Sequence, residues 1–313
     1  MTDQPIDPFR AAGTWLRAAL HAHTTNSDGE LPPWALAAHY AAAGYDVLAT
    51  TDHWIRTELP EQEARGLVIV PSVELNARLP GGRDGHLLSY GVDRVPEALM
   101  PFESLAEGVR FVEEAGGVPY LAHPYWTGAA FEALDVDGLR GIEVWNAGCE
   151  REIARGGSEP HWDDALERGR RLFGLAADDS HHPGHDSDLA WTWIRAGERS
   201  PSAVLEALRT GAFYASAGPL IYDVVVEDAA VEVATSPCRS VTLCQGVQRG
   251  SSAQAGRLGY RYRARVIETA ADGGLVRVRL ERHDAPFGRL QVEDPYGRRA
   301  WTNPLWFSSS FGQ

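Results

Sequence analysis

The sequence is poor in residues that signal several familiar functions. Only three cysteines, Cys149, Cys238 and Cys244, stand among its 313 residues. They form no C-x-x-C pair, and their odd number closes no disulfide framework, so they fit a reducing compartment. Nothing in the sequence marks any of them as a nucleophile, and all three read as packing or loop residues. No apolar run reaches the roughly 18 residues of a membrane-crossing helix. The opening MTDQPIDPFR lacks the basic and apolar regions of a secretory signal. The expected location is therefore cytoplasmic, with no membrane partner. Positive charge is also short: 29 basic residues against 43 acidic ones give a net charge of −14. General nucleic-acid binding wants a basic surface and is not expected. A small anionic substrate remains open, because bound cations invert a local field. No G-x-G-x-x-G or P-loop follows a strand signal, so the nucleotide-binding fingerprints are missing.

What is present is ordinary for a soluble enzyme: 44% hydrophobic and 23% charged residues. Between residues 15 and 220 strand and helix signals alternate. WLRAALHAH, YDVLATTDH, GLVIVPSVEL, HLLSYGV, VPYLAHP, GIEVWN, LFGLAADDSH and AWTWIRA read as strands. PPWALAAHYAAAG, FESLAEGVRFVEEAGG, HWDDALERGR and SPSAVLEALRTG read as helices; Pro33 suits a first turn and Gly44 a C-terminal cap. Such alternation implies a parallel sheet with helical crossovers. Polar residues fall at nearly every strand end while strand bodies are apolar. That distribution favours a barrel-like closure with one active mouth over an open doubly wound sheet. After about Leu220 the pattern changes to short alternating strands with turns between them. The expected domains are 1–220, α/β, and 221–313, a small all-β domain, with AGPL at 217–220 as the junction.

The strand ends carry the chemistry. In order they are His21-x-His23 with Asp28 in the following loop, Asp52-His53, Glu74, His86, His123, and Asp178-Asp179-Ser180-His181. Residues i and i+2 of a strand share a face, so His21 and His23 aim together. Six of the chain's eleven histidines fall at these positions. Imidazole and carboxylate donors without thiolate suit Mn, Fe, Zn or Co. There are more donors than one tetrahedral ion uses, so two or three divalent ions are expected. Asp52 and Asp178, beside better-placed donors, suit outer carboxylates that hold a histidine tautomer. His39 reads as a packing residue of the Ala-rich helix, His182 and His185 as solvated loop residues, and His161 and His283 as structural. Asn146 and Arg151 follow the GIEVWN strand and so reach the same mouth. Asn146 could hydrogen-bond a substrate and Arg151 could clamp an anionic oxygen; a solvated loop arginine is the plain alternative.

LHAHTTNSDG, TTDH, VPSVELNA, AHP and ADDSH resemble the motifs of the PHP (polymerase and histidinol phosphatase) metallohydrolase superfamily. GIEVWNA, ERGRRLFGLAADDSHH, LRTGAFYASAGP, VATSP and GRRAWTNPLWF are similar to its CehA/McbA branch, and the resemblance covers essentially the whole chain. It implies a distorted (β/α)7 barrel followed by a C-terminal β region, with up to three divalent ions. Carried over residue by residue, it implies His21, His23 and Asp179 on one ion and Glu74 bridging to a second. His86 and His123 complete that second ion, and Asp28, His53 and His181 hold a third. Asp28 stands where many relatives have histidine, which should retune the third position.

The expected activity is therefore metal-dependent hydrolysis, with Glu74, Asp179 and His181 as the catalytic metal-centre residues. A phosphoesterase acting on a small phosphate mono- or diester through a metal-bridging hydroxide leads. Carbamate, ester or amide hydrolysis is the alternative, because the named branch includes carbamate-cleaving members. A non-catalytic, metal-stabilised binding protein is the alternative of another class. The partner is a small, anionic molecule; a homo-oligomer is compatible with the sequence.

Overall fold

The computed structural model describes residues 5–256 and 259–307. The chain divides into two compact units, Met1–Phe213 and Tyr214–Gln313. Among the described residues no helix is long and apolar enough to cross a membrane.

The first unit mixes strands and helices. Its elements are β1 (Thr14–Ala19), α1 (Pro33–Ala42), β2 (Val47–Thr50), β3 (Val68–Arg78), β4 (Asp84–Tyr90), α2 (Leu105–Glu114), β5 (Val118–Leu121) and α3 (Pro124–Thr127). Then come a 3-10 turn (Phe131–Leu134), β6 (Gly141–Asn146), α4 (Ala147–Ile153), α5 (Glu159–Glu167), β7 (Phe173–Ala177), α6 (Pro183–Asp186), β8 (Trp191–Ala196) and α7 (Pro201–Thr210). Local chemistry explains the longer helices. Pro33 occupies the first turn of α1, where a missing N–H costs nothing. Ser104 caps α2 by accepting from the Glu107 N–H at 3.2 Å. Ser200 caps α7 in the same way, and Gly211 ends it at φ +76°.

The strands lie in the order β8-β1-β2-β3-β4-β5-β6-β7. Pairs β1–β2, β2–β3, β5–β6 and β6–β7 are parallel. The two ends of the β1–β7 row meet beyond their carboxyl termini. Ala22 and Ser180 form a parallel bridge, with the His23 N–H on Ser180 O at 2.9 Å and the Asp179 N–H on His21 O at 3.1 Å. Alternate residues of the strands fill the interior: Leu16, Ala18 and Leu20, Val47 and Ala49, Val68 and Val70, Val118 and Tyr120, Leu175 and Ala177. Val204, Ala207 and Leu208 of α7 pack against the same cluster. The opposite face of β1 and β2 (Ala19, Leu48) packs on Leu36, Ala37 and Tyr40 of α1. Interior tyrosines keep their hydroxyls satisfied: Tyr90 donates to Leu20 O at 2.9 Å and Tyr120 to Leu208 O at 2.7 Å.

Not every strand follows the parallel expectation. The Leu79–Arg83 connection between β3 and β4 is too short for a helical crossover, which needs a dozen or more residues. The two strands therefore form an antiparallel hairpin, and β4 is antiparallel to β5 as well. Strand β8 runs antiparallel to β1. The reversal of β4 matters for the site. Its first residues lie at the end where parallel strands finish, which brings His86 to the mouth.

Every described element of the second unit is a strand: β9 (Phe213–Ser216), β10 (Ile221–Val226), β11 (Ala230–Cys238), β12 (Ser240–Cys244), β13 (Gly250–Gln254), β14 (Arg261–Tyr262), β15 (Ala264–Thr269), β16 (Leu275–Glu281), β17 (Phe287–Glu293), β18 (Arg299–Thr302) and β19 (Leu305–Trp306). Antiparallel strands β10-β11-β16-β15 form one sheet. Strands β14-β13-β12-β17-β18 are likewise antiparallel, with β19 pairing β17.

Candidate metal centre

All nine donors expected at the strand ends come together at the mouth of the first unit. Beyond Leu20 the inward side passes to His21 and His23, while Ala22 joins the outer cluster. Their rings lie 5.2 Å apart. Glu74 sits inside the long strand β3 and is not a strand end; a parallel bridge between His53 and Glu74 extends the β2–β3 ladder and sets both in place. His123 and Asp179 each stand two residues beyond the end of a strand, β5 and β7, with φ of +29° and +56°. Such backbone in non-glycine residues costs on the order of 1–3 kcal/mol and collects at functional sites.

The donors fall into converging groups. His21 Nε2 stands 3.0 Å from Asp179 Oδ1 and 3.3 Å from Glu74 Oε2; His23 Nε2 stands 3.3 Å from each of these oxygens. Both nitrogens are buried, and neither makes a hydrogen bond of acceptable geometry. Donors held at about 2.0–2.2 Å from one ion lie roughly 3.0–3.4 Å from each other. The four residues therefore fit a divalent cation, and the orphaned nitrogens are what such an ion would satisfy. Around the other Glu74 oxygen, Oε1, His86 Nδ1 lies at 2.9 Å and His123 Nε2 at 3.6 Å. His123 belongs to a converging group with His21 and Glu74; His86 joins through its hydrogen bond to Glu74. Asp28, His53, His181 and His23 form a further group, with Asp28 Oδ2 at 3.5 Å from both His53 Nε2 and His181 Nε2. Asp28 Oδ1 lies 3.3 Å from His23 Nδ1, so Asp28 touches the first group as well as the third.

Outer partners fix the ring orientations. Glu143 of β6, fully buried, takes His21 Nδ1 at 2.7 Å, the His123 N–H at 2.9 Å and the Asn146 amide at 2.8 Å. Glu143 is not among the expected site residues; a lone glutamate in the apolar strand GIEVWN is its only mark in the sequence. His181 Nδ1 donates to Asp179 O at 3.0 Å, leaving Nε2 free for a cation. Asp52 and Asp178 have a different task from holding a histidine. Asp52 accepts from the Thr24 N–H, the Thr24 hydroxyl, Ser27 and Thr57, and so ties down the loop carrying Asp28. Asp178 accepts from three successive N–H groups, Asp188, Leu189 and Ala190, and from Tyr40.

Asn146 is buried. Its amide reaches Glu143 and, at 3.1 Å, Asp179 Oδ2, and its carbonyl caps α4 through Cys149 N. These bonds give it a positioning role in place of the expected substrate contact. Arg151 is exposed and lines the cavity above the donors, as do Trp126, Glu152, His182, His185 and Asp186. That cavity has a volume of about 650 Å³. His39 bonds Ser187, His161 bonds Ala129 O, and His283 bonds Gly250 O.

The buried donors also act on one another as charges. Burial disfavours charge on His21 and His23, but Asp179, Glu143, Glu74 and Asp28 outweigh it and hold both imidazoles well above their ordinary value. Burial opposes ionisation of Glu74 and Asp179 too, yet the surrounding histidines hold both carboxyls well below the usual range. His53 is pushed down by burial.

No protein-family model matches the chain, and no curated protein does. Among solved structures it is similar to a two-domain protein from Bacteroides vulgatus containing a predicted PHP-like metal-dependent phosphoesterase. That pair shows 16% identity and a TM-score of 0.49 over 96% of this chain and 97% of the other. It is also similar to PsfC from Pseudomonas syringae, at 18% identity and a TM-score of 0.45 over 62% and 87% of the two chains. An amidohydrolase from Chromobacterium violaceum, with bound sulfate and no metal, gives 20% identity and a TM-score of 0.43 over 54% and 89%. Likenesses this distant assign neither a reaction nor a substrate to this chain.

Proposed function

We propose that the chain is a divalent-metal-dependent phosphoesterase of the PHP superfamily, CehA/McbA type, acting on small phosphate mono- or diesters. We read the β1–β7 row as the distorted (β/α)7 barrel of that family and the second unit as its C-terminal β domain. One observation carries the proposal: two buried, unpartnered imidazole nitrogens face two carboxylate oxygens at single-ion spacing, at the base of a cavity. His21, His23, Asp179 and Glu74 would hold one ion, Glu74 with His123 and His86 a second, and Asp28, His53 and His181 a third. Bound divalent ions such as Mn, Fe or Zn would supply a water-derived nucleophile at neutral pH and take up charge on the attacked group.

The chain's own residues do the rest. Glu143 holds His21 so that Nε2 faces the Asp179 and Glu74 oxygens. Trp126, Glu152, His185 and Asp186 line the cavity around the donors. Arg151, at the rim, is placed to bind an anionic substrate oxygen. The chain contains no lysine, so no lysine side chain serves as an amine nucleophile or Schiff base.

A second reading, carbamate, ester or amide hydrolysis, draws on the same cavity. Arg151 lines it together with the acidic Glu152 and Asp186, a weak setting for a multiply charged phosphate. The experiment is a screen of metal-reconstituted protein against aryl phosphates, phosphodiesters and aryl carbamates. Phosphate-ester turnover that is lost in Glu74→Gln and Asp179→Asn supports the proposal. Turnover of carbamates alone favours the second reading, and no turnover with Mn, Zn or Fe overturns both.

A further inference from the structure

Cys149 is a buried nucleophilic group that the proposed function leaves unused. It sits in the first turn of α4, its N–H held by Asn146 Oδ1 at 2.8 Å. Gly148 lets that turn close on the chain after β7. Its N–H donates to Asp178 O at 2.8 Å, and a β-carbon there would meet the Asp178 and Asp179 carbonyl oxygens at 2.9 and 3.1 Å. The outcome is Cys149 Sγ 3.9 Å from Asp179 Oδ2, on the cavity wall.

His123 faces the same Asp179 oxygen. Its side chain is only 3% exposed, and Nδ1 has no hydrogen-bond partner. Nε2 stands 3.8 Å from that same Asp179 oxygen and 3.6 Å from Glu74 Oε1, beyond hydrogen-bonding range. One donor atom each from His123, Cys149 and Asp179 lies within 4.8 Å of the others. Sulfur–zinc bonds are about 2.3 Å, longer than those to nitrogen or oxygen, so sulfur and oxygen on one ion stand roughly 3.6 Å apart. The observed separation needs only a few tenths of an ångström of adjustment.

We propose that Cys149 supplies a thiolate donor, with His123 and Asp179, at the second metal position, biasing it toward Zn(II), Fe(II) or Co(II) over Mn(II) and Mg(II). The proposal rests on the metal-centre reading above. As the sulfur–metal bond forms, the S–H bond breaks and its proton leaves to solvent; nothing is oxidised or reduced. A bound cation would stabilise the thiolate, as metal binding to a thiol releases its proton.

The test is cobalt titration of the full chain after removal of bound metal, followed by absorption spectroscopy. Wild type should show visible ligand-field bands and a near-ultraviolet sulfur-to-cobalt charge-transfer band. Cys149→Ser should keep the first and lose the second, with Cys238 and Cys244 still present. Its preference for Zn(II) over Mn(II) in competition should fall by roughly tenfold or more. Should the serine variant fold poorly, Cys149→Ala with native circular dichroism serves the same comparison. Ligand-field bands without the charge-transfer band in wild type overturn the proposal, as does a band that survives in both variants. No cobalt spectrum at all overturns this proposal together with the metal centre it rests on.

Discussion

His21 Nδ1 and Glu143 Oε1 stand 2.7 Å apart, and both side chains are fully buried. The contact fixes which imidazole nitrogen faces Asp179 and Glu74. Glu143→Gln keeps the volume, but turns an amide N–H2 toward the His123 and Asn146 donors or toward His21. Divalent-metal affinity should drop about 10–100-fold while the fold survives. Isothermal titration with Mn(II) or Zn(II) checks this; unchanged affinity removes Glu143 from the site's support.

Asp178 is expected to matter for stability. It accepts four hydrogen bonds at 2.8–3.0 Å, three of them from successive backbone N–H groups. In Asp178→Asn one oxygen becomes a donor and faces N–H groups. The loss should be about 2–3 kcal/mol, the cost of buried donors left unsatisfied. Urea unfolding with metal present measures it, and a change under about 0.5 kcal/mol contradicts it.

The metal-free and metal-loaded proteins should differ in their response to pH. His21 and His23 have raised values in the fold, because nearby carboxylates outweigh burial. Their contribution is complete below the ordinary imidazole value near 6.5 and is lost as pH rises through the raised values. Glu74 and Asp179 have lowered values, so their contribution holds above the ordinary carboxylate range and fades only in acid. The metal-free protein should therefore weaken as pH climbs above about 6.5. Cations displace those protons, so the gain in Tm on metal addition should grow over the same interval. A gain that is constant or shrinks with rising pH speaks against protonated imidazoles in the empty cluster.

Arg151 gives a test of substrate charge. It is exposed at the cavity rim, so Arg151→Ala should leave folding intact. For a phosphate ester, KM should rise roughly tenfold or more, the worth of one charge-assisted hydrogen bond. For a neutral carbamate, KM should stay within about twofold, since no such bond is lost. Equal effects on both substrates remove the anion-clamp role.

Much of the site was legible in the sequence because its donors are punctuation. His21-x-His23, Asp52-His53, His123 and Asp179 interrupt apolar strand bodies, and period-two geometry sends them to one mouth. Glu143 was not legible as a partner. A single glutamate within a buried strand declares its importance only when the residue across the barrel is known. Asn146 looked like a substrate residue from its place after β6, but its side chain turns back to cap α4. The reversal of β4 was hidden for a similar reason. Strand patterning carries no direction, and only the short Leu79–Arg83 turn shows that β3 and β4 must run opposite ways. The shorter helices α3, α4 and α6 have four to seven residues. That is too few for a helical period to register.

The most direct test is metal stoichiometry. Purified protein, stripped and then equilibrated with Mn, Fe or Zn and freed of excess, should carry at least two ions per chain by elemental analysis. Glu74→Gln, which removes the carboxylate proposed to be shared by two ions, should retain fewer. A wild-type chain that retains no metal, or a Glu74→Gln chain that retains the full complement, contradicts the account.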